Sequence, residues 1–310
     1  MIRRVKTANR EEWLKQRMGF IGGSDASAVV GMNPYCSRYA LWAEKTGRKE
    51  PFEGNITTDV GAYLEEFVAD LFAKETGKKV RRDNYSIFND LYPWGIAHID
   101  RAIIGESAFL ECKTTTSVPL MKKLRNSEEF PDAYLCQCTH YLAMTGYEKC
   151  YLAVLIANRE FKIYELQRDE NEIQALMQAE KEFWELVKSD TPPAPDGTDS
   201  SSATISELYP RSDDSVVDLL PVDGLLNEYM SLSAQIKMLT ELRDEKANRV
   251  KAYMREAGHG ESQLYKVSYT SAERRSLDTA LLQKENPKLV LDNYYKTSNY
   301  RTFKVTQKDK

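Results

Sequence analysis

Hydrophobic positions along the first 190 residues change their repeat several times. Residues 58–75 carry Val60, Leu64, Phe67, Val68, Leu71 and Phe72 at steps of three and four, the period of an amphipathic helix that Gly77 closes. Shorter helices are predicted over 11–17, over 24–30 behind Gly22 and Gly23, and over 37–45 ahead of Gly47. Turn residues then separate four strand-like runs at 79–82, 86–88, 95–103 and 108–113. A helix over 133–145, strands over 151–156 and 161–166, and a helix over 170–188 follow. This order predicts an α/β core in which a mixed sheet is flanked by helices.

Periodicity stops at 191–202, where Pro192, Pro193, Pro195, Gly197 and a run of serines replace it. The division expected is a core over 1–190, a linker over 191–210 and an extension over 211–310. The extension opens with a long helical stretch, 219–257. Leu225, Tyr229, Leu232, Ile236 and Leu239 form a coiled-coil-like stripe that resumes at Val250 and Tyr253. Gly258 and Gly260 end it, and a small α+β unit is expected from a strand at 264–268, a helix at 279–284 and a strand at 302–305.

Composition narrows the class. With 42% hydrophobic and 29% charged residues the chain reads as an ordinary globular protein, and no apolar run approaches the ~18 residues of a membrane span. The N-terminus has no apolar signal core, so a cytoplasmic location is expected. Five cysteines, an odd number without a CxxC pair, argue against a disulfide framework, a zinc knuckle or an iron-sulfur cluster and predict free thiols. The net charge of −4 gives no overall pull toward a polyanion. Basic residues nevertheless cluster at Arg3, Arg4 and Lys6, at 78–82, at 122–125 and at Arg274 and Arg275.

The segment 95–113 carries the chemistry. Two strands joined at Gly105-Glu106-Ser107 make a hairpin on which Asp100 can face Glu111. Side chains alternate along a strand, so Glu111 and Lys113 share one face and Leu110 and Cys112 the other. Two carboxylates beside an ammonium suit a hard divalent cation, with the lysine placed to orient or deprotonate a water. The competing reading is a polar strand face with an incidental ion pair. On the 58–75 helix Glu65 lies at the border of the apolar stripe, within reach of such a site or simply on a solvated flank, while Glu66 points nearly opposite. Arg17 and Ser24 bracket two glycines at a helix start, where free N–H groups favour an anion, and Ser24 also reads as a plain N-cap.

Taken together, Arg17-x-x-x-Ile-Gly-Gly-Ser-Asp-Ala, Asn33-Pro-Tyr, Leu41-Trp-x-x-Lys-Thr-Gly, Gly61-x-x-x-Glu65, Asp100, Glu111-x-Lys113 and Gln137-x-x-His-Tyr-Leu resemble the YqaJ-type viral recombinase family, which includes phage lambda exonuclease and related alkaline exonucleases. The resemblance covers residues 10–190. It implies a restriction-endonuclease-like fold and a DNA nuclease of the PD-(D/E)XK superfamily that digests linear duplex from the 5′ end. The 3′ strand left behind would pass to a single-strand annealing protein. It also implies Mg²⁺, with Mn²⁺ able to substitute, and a homo-oligomer, a trimer in that family. By motif position Glu65, Asp100, Glu111 and the Cys112 carbonyl resemble the metal ligands, Lys113 the catalytic lysine and Gln137 an active-site glutamine. Arg17 and Ser24 resemble the 5′-phosphate pocket. His98 departs from the family pattern, and either joins that pocket or packs. An endonuclease with the same core and a non-catalytic DNA-binding scaffold are the alternative functions.

Overall fold

The run Ala-Phe-Leu-Glu-Cys-Lys-Thr-Thr becomes the middle strand of a five-stranded mixed sheet around which the first part of the chain is arranged. The computed structural model describes residues 1–6 and 10–307, and the chain separates into two units, Met1–Tyr209 and Pro210–Lys310. In chain order the first unit runs β1 (Ile2–Lys6), α1 (Arg10–Gly19), β2 (Ile21–Gly22), α2 (Gly23–Val29), α3 (Arg38–Lys45), α4 (Ile56–Thr76), β3 (Val80–Arg82), β4 (Tyr85–Asn89) and β5 (Gly95–Ile96). It continues with β6 (Arg101–Ile103), β7 (Ala108–Thr115), α5 (Val118–Asn126), α6 (Asp132–Thr145), β8 (Lys149–Ile156), β9 (Glu160–Gln167), α7 (Glu170–Lys188) and α8 (Asp199–Leu208). The main sheet has the order β3-β6-β7-β8-β9, with β7 parallel to β8 and the other neighbours antiparallel.

Alternation along β7 sorts the two layers. Leu110 packs with Val68, Ala69 and Phe72 of α4, whereas Phe109 packs with Cys138, Leu142 and Met144 of α6 and Ile173 and Met177 of α7. Burying each of these large side chains stabilises the fold by about 1.5–3 kcal/mol. Pairing of Arg101 with Leu110 fixes the β6–β7 register. Carried one residue further, that register sets Asp100 opposite Glu111.

Several elements differ from those predicted. The single strand expected over 95–103 is broken, because Gly95–Ile96 pairs with β2 and Ala97 bridges Ile87, so the chain crosses between sheets before β6 begins. On α4 only Val68, Ala69 and Phe72 are buried, and Val60 and Phe67 are about half exposed. The segment 191–210, expected as a linker, contains α8. Thr198 caps that helix by accepting from Ser201 N, and Ser201 and Thr204 are buried where α8 packs on α3. Lys49 ties it down through Thr204 and Glu207.

The second unit is built on α9 (Asp223–Met254), preceded by a 3₁₀ turn at Leu220–Val222, with no residue of α9 buried. The hairpin β10 (His259–Glu261) and β11 (Lys266–Ser268) and the helix α10 (Thr279–Glu285) follow. The strand expected over 302–305 does not form. Among the described residues no helix is long and apolar enough to cross a membrane. All five cysteines are free thiols, with Cys136, Cys138 and Cys150 buried.

Candidate active site

Strand β7 sends Glu111 and Lys113 toward α6, and helix α6 answers with Gln137, Tyr141 and Tyr134. Lys113 Nζ lies 2.7 Å from Glu111 Oε1, and the Gln137 amide donates to the same oxygen at 2.6 Å. Gln137 also lies 3.3 Å from the Tyr141 hydroxyl, and the Tyr134 ring faces Lys113 Nζ at 5.6 Å. The other oxygen of this buried carboxylate, Glu111 Oε2, has no hydrogen-bond partner among the described residues. An orphaned buried carboxylate oxygen is expensive unless a cation or a proton joins it.

Asp100 immediately precedes β6, and its Oδ2 accepts from Cys112 N at 2.7 Å. In a strand the N–H and C=O of one residue point to the same edge, so the Cys112 carbonyl faces this side too, past the last β6 pair. Burial pushes the Asp100 carboxyl well above the ordinary range, and Glu111 and then Glu65 push it further. Burial alone would lower Lys113, but Glu111 and Asp100 outweigh it and hold the ammonium above the usual lysine range. Crowded carboxylates that resist ionising together are the donor set a hard divalent cation fits.

Glu65 reaches this corner from the α4 layer, the opposite side of the sheet from Glu111. Its Oε1 takes a 2.5 Å bond from Arg101 Nη1, and Arg101 Nη2 donates to Glu66 at 2.9 Å. Adjacent helix positions expected to diverge are thus bridged by one guanidinium fork. Arg101 is itself buried, and it also donates to the Asp100 carbonyl. Asp100, Glu111, Lys113 and Gln137 are therefore brought together, while Glu65 is held aside by Arg101. Among the described residues no three His, Cys, Asp or Glu side chains gather closely enough to enclose an ion. The chemistry of the corner fits a cation through Asp100 and the orphaned Oε2 of Glu111. Glu65 has one carboxylate oxygen, Oε1, engaged by Arg101.

Arg17 lies at the end of α1, where its Nη2 donates to Ser24 Oγ at 2.9 Å and Asp25 Oδ1 at 3.0 Å. The helix start is set by Gly22, whose N–H donates to Asp25 Oδ2, so Ser24 is not the N-cap. Buried Asp25 is also bound by Lys45 Nζ at 2.7 Å. Burial would raise the Asp25 carboxyl, but Lys45 and Arg17 outweigh it and hold it down to about 2. His98 hydrogen-bonds Ser86 Oγ at 2.9 Å, and burial, then Arg17 and His140, push it down to about 4. It stands near Arg17 as a neutral ring, bringing a hydrogen bond without a charge.

Gly23 joins these two groups. A Cβ there would fall 2.4 Å from the Tyr141 ring and 3.0 Å from Gln137 Cγ, so only glycine lets α2 lie this close to α6. One turn along α6, buried His140 binds Glu180 Oε1 at 2.8 Å and the Ile96 carbonyl at 3.0 Å. Burial would lower this imidazole, but Glu180 outweighs it and raises it, pinning α6 to α7 and β5.

The architecture and the sequence now agree with known proteins. The model of the YqaJ-like viral recombinase domain matches residues 12–148. An uncharacterized protein YqaJ of Bacillus subtilis (strain 168) is 33% identical over 305 residues, 96% of this chain and 95% of its own. The chain belongs to the YqaJ family. Among solved structures, an alkaline exonuclease from Laribacter hongkongensis aligns with a TM-score of 0.51 at 19% identity, over 58% of this YqaJ-family chain and 94% of its own. The same exonuclease in complex with dAMP aligns with a TM-score of 0.50 at 17% identity, over the same shares. At these identities the likeness is one of fold, and the restriction-endonuclease-like core expected from sequence is the fold observed.

Proposed function

We propose that this YqaJ-family chain is a divalent-metal-dependent deoxyribonuclease that digests linear double-stranded DNA from a 5′ end and leaves a 3′ single strand for an annealing protein. The observation that carries this reading is the corner where buried Glu111 meets Lys113 and Gln137 through one oxygen, leaves the other without a partner and lies opposite Asp100. Asp100, Glu111 and the Cys112 carbonyl would hold the cation, and Glu65, now bonded to Arg101 through Oε1, would be the further carboxylate in reach. When bound there, Mg²⁺, or Mn²⁺ in its place, would supply positive charge for the scissile phosphate and lower the cost of deprotonating the attacking water. The name of the solved neighbour, an alkaline exonuclease, supports this choice of reaction.

The chain's own groups divide the work. Gln137 holds Glu111 through Oε1, leaving Oε2 without a partner. Lys113, held as an ammonium, orients the water and neutralises charge that develops on the phosphate. Arg17 and Ser24 hold the terminal 5′-phosphate, with Asp25 and Lys45 fixing the guanidinium from behind and His98 adding a neutral donor. The unit Pro210–Lys310 assembles copies of the chain or extends its grip on DNA without supplying catalytic groups. Linear and covalently closed duplexes of equal sequence, incubated with Mg²⁺, test the exonuclease reading. Only the linear form should disappear, and equal loss of the closed circle would make the enzyme an endonuclease.

A further inference from the structure

Exposed aromatic side chains concentrate at the end of the second unit. Tyr294, Tyr295, Tyr300 and Phe303 are 76%, 67%, 79% and 75% exposed, far beyond what an interior anchor would show. Four times in this unit an aromatic residue is followed directly by a base: Tyr265-Lys266, Tyr295-Lys296, Tyr300-Arg301 and Phe303-Lys304. Residues 293–307 contain Lys296, Arg301 and Lys304 and no acid, against a net charge of −4 for the whole chain.

Helix α9 anchors the C-terminal segment through Phe303 and the end of the hairpin through Tyr269. Phe303 meets Tyr229 edge-on at 5.5 Å, and Lys251 lies over the Tyr269 ring at 5.7 Å. Tyr229 and Lys251 stand 22 positions apart, so they lie within about 40° of each other around the helix and about 33 Å apart along it. The hairpin and the C-terminal segment therefore lie along the same side of one helix.

We propose that this side of the second unit binds single-stranded DNA. Unstacked bases offer flat apolar faces to exposed rings, and the phosphates between them meet the adjoining lysines and arginine. A duplex hides its base faces and would use only the charges. A protein partner would use the rings but would gain nothing from an acid-free basic run unless it were itself acidic. The choice of DNA as the polymer rests on the proposed nuclease function, whose product is such a strand.

Fluorescence anisotropy of a labelled oligothymidylate, titrated with the full chain in excess chelator, measures this binding without turnover. The unmutated protein should bind it more tightly than a duplex of equal length. Tyr295→Ala, Tyr300→Ala and Phe303→Ala combined should weaken it about tenfold or more, whereas Tyr295→Phe with Tyr300→Phe should keep it. Should the triple variant misfold, Lys296→Gln with Lys304→Gln serves instead, and should flatten the slope of log affinity against log salt by about 1.4. Unchanged affinity in the triple variant, or an unchanged slope in the lysine variant, overturns the proposal. So does a triple variant that keeps its affinity while its sedimentation mass falls, since the face would then hold another chain. A protein that binds the oligothymidylate but cleaves no DNA would sink the nuclease reading and leave this one standing.

Discussion

The Gln137 amide and the Lys113 ammonium converge on a single oxygen of Glu111, at 2.6 and 2.7 Å, and leave its other oxygen orphaned in the interior. Helix α6 and strand β7 thus cooperate to aim one carboxylate oxygen. Their approach depends on α2, because Tyr141 and Gln137 lie against the bare backbone of Gly23.

Gly23→Ala is therefore expected to do more than a surface change. The added methyl would sit 2.4 Å from the Tyr141 ring, and overpacking of this kind costs about 1–3 kcal/mol. Urea denaturation should show the loss in midpoint with little change in slope. Cleavage should fall as well, because Gln137 Cγ is the next atom to be pushed. A variant as stable and as active as the parent would mean that α2 does not set the position of Gln137.

Arg17 predicts a preference for phosphorylated ends. Losing a hydrogen bond to a charged group costs about 1.5–3 kcal/mol, which corresponds to roughly ten- to more than a hundredfold in rate. A 5′-phosphorylated duplex should be digested faster than its 5′-hydroxyl counterpart, and Arg17→Ala should erase most of that difference. Equal initial rates on the two ends in the unmutated protein would remove Arg17 and Ser24 from end recognition.

Asp25 makes stability depend on acid. Its carboxyl is held down to about 2 in the fold against an ordinary value of 3.8. A depressed carboxylate stabilises the fold above its unfolded value and loses that contribution as pH falls through the folded one. The window is therefore pH 4 down to about 2, and a shift of nearly two units amounts to about 2 kcal/mol. Thermal melts of the parent and Asp25→Asn should differ most near neutral pH and draw together toward pH 2. A gap that stays constant across that range would show that the Lys45 and Arg17 pairs do not act through ionised Asp25.

Much of the site was legible because strand alternation is a local rule. Leu110 and Cys112 face α4 and Glu111 and Lys113 face α6, as the period of two requires. What escaped the sequence depends on distant partners. Arg101 carries no signal in the sequence pattern, and only the fold reveals that Glu65 and Glu66 bind it. Strand β1 has no alternating pattern and is exposed throughout, so it exists only through its pairing with β4. Helix α8 hid in a stretch rich in serine and proline because its buried contacts, Ser201 and Thr204, are the small polar residues that also mark a linker. The break after β5 was invisible for a similar reason, since Ala97 leaves the expected hairpin to bridge Ile87.

The most direct test of the central claim is the rate of digestion of a short linear duplex in Mg²⁺, in excess chelator, and in Mg²⁺ with Glu111→Gln. Glu111→Gln keeps the shape of the side chain while removing the charge that pairs with Lys113 and would hold the cation. Digestion in Mg²⁺ by the parent alone, with Glu111→Gln folded to the same melting temperature or higher, is the result predicted. Undiminished digestion in chelator, or by Glu111→Gln, would contradict the assignment of this corner as a metal-dependent nuclease site.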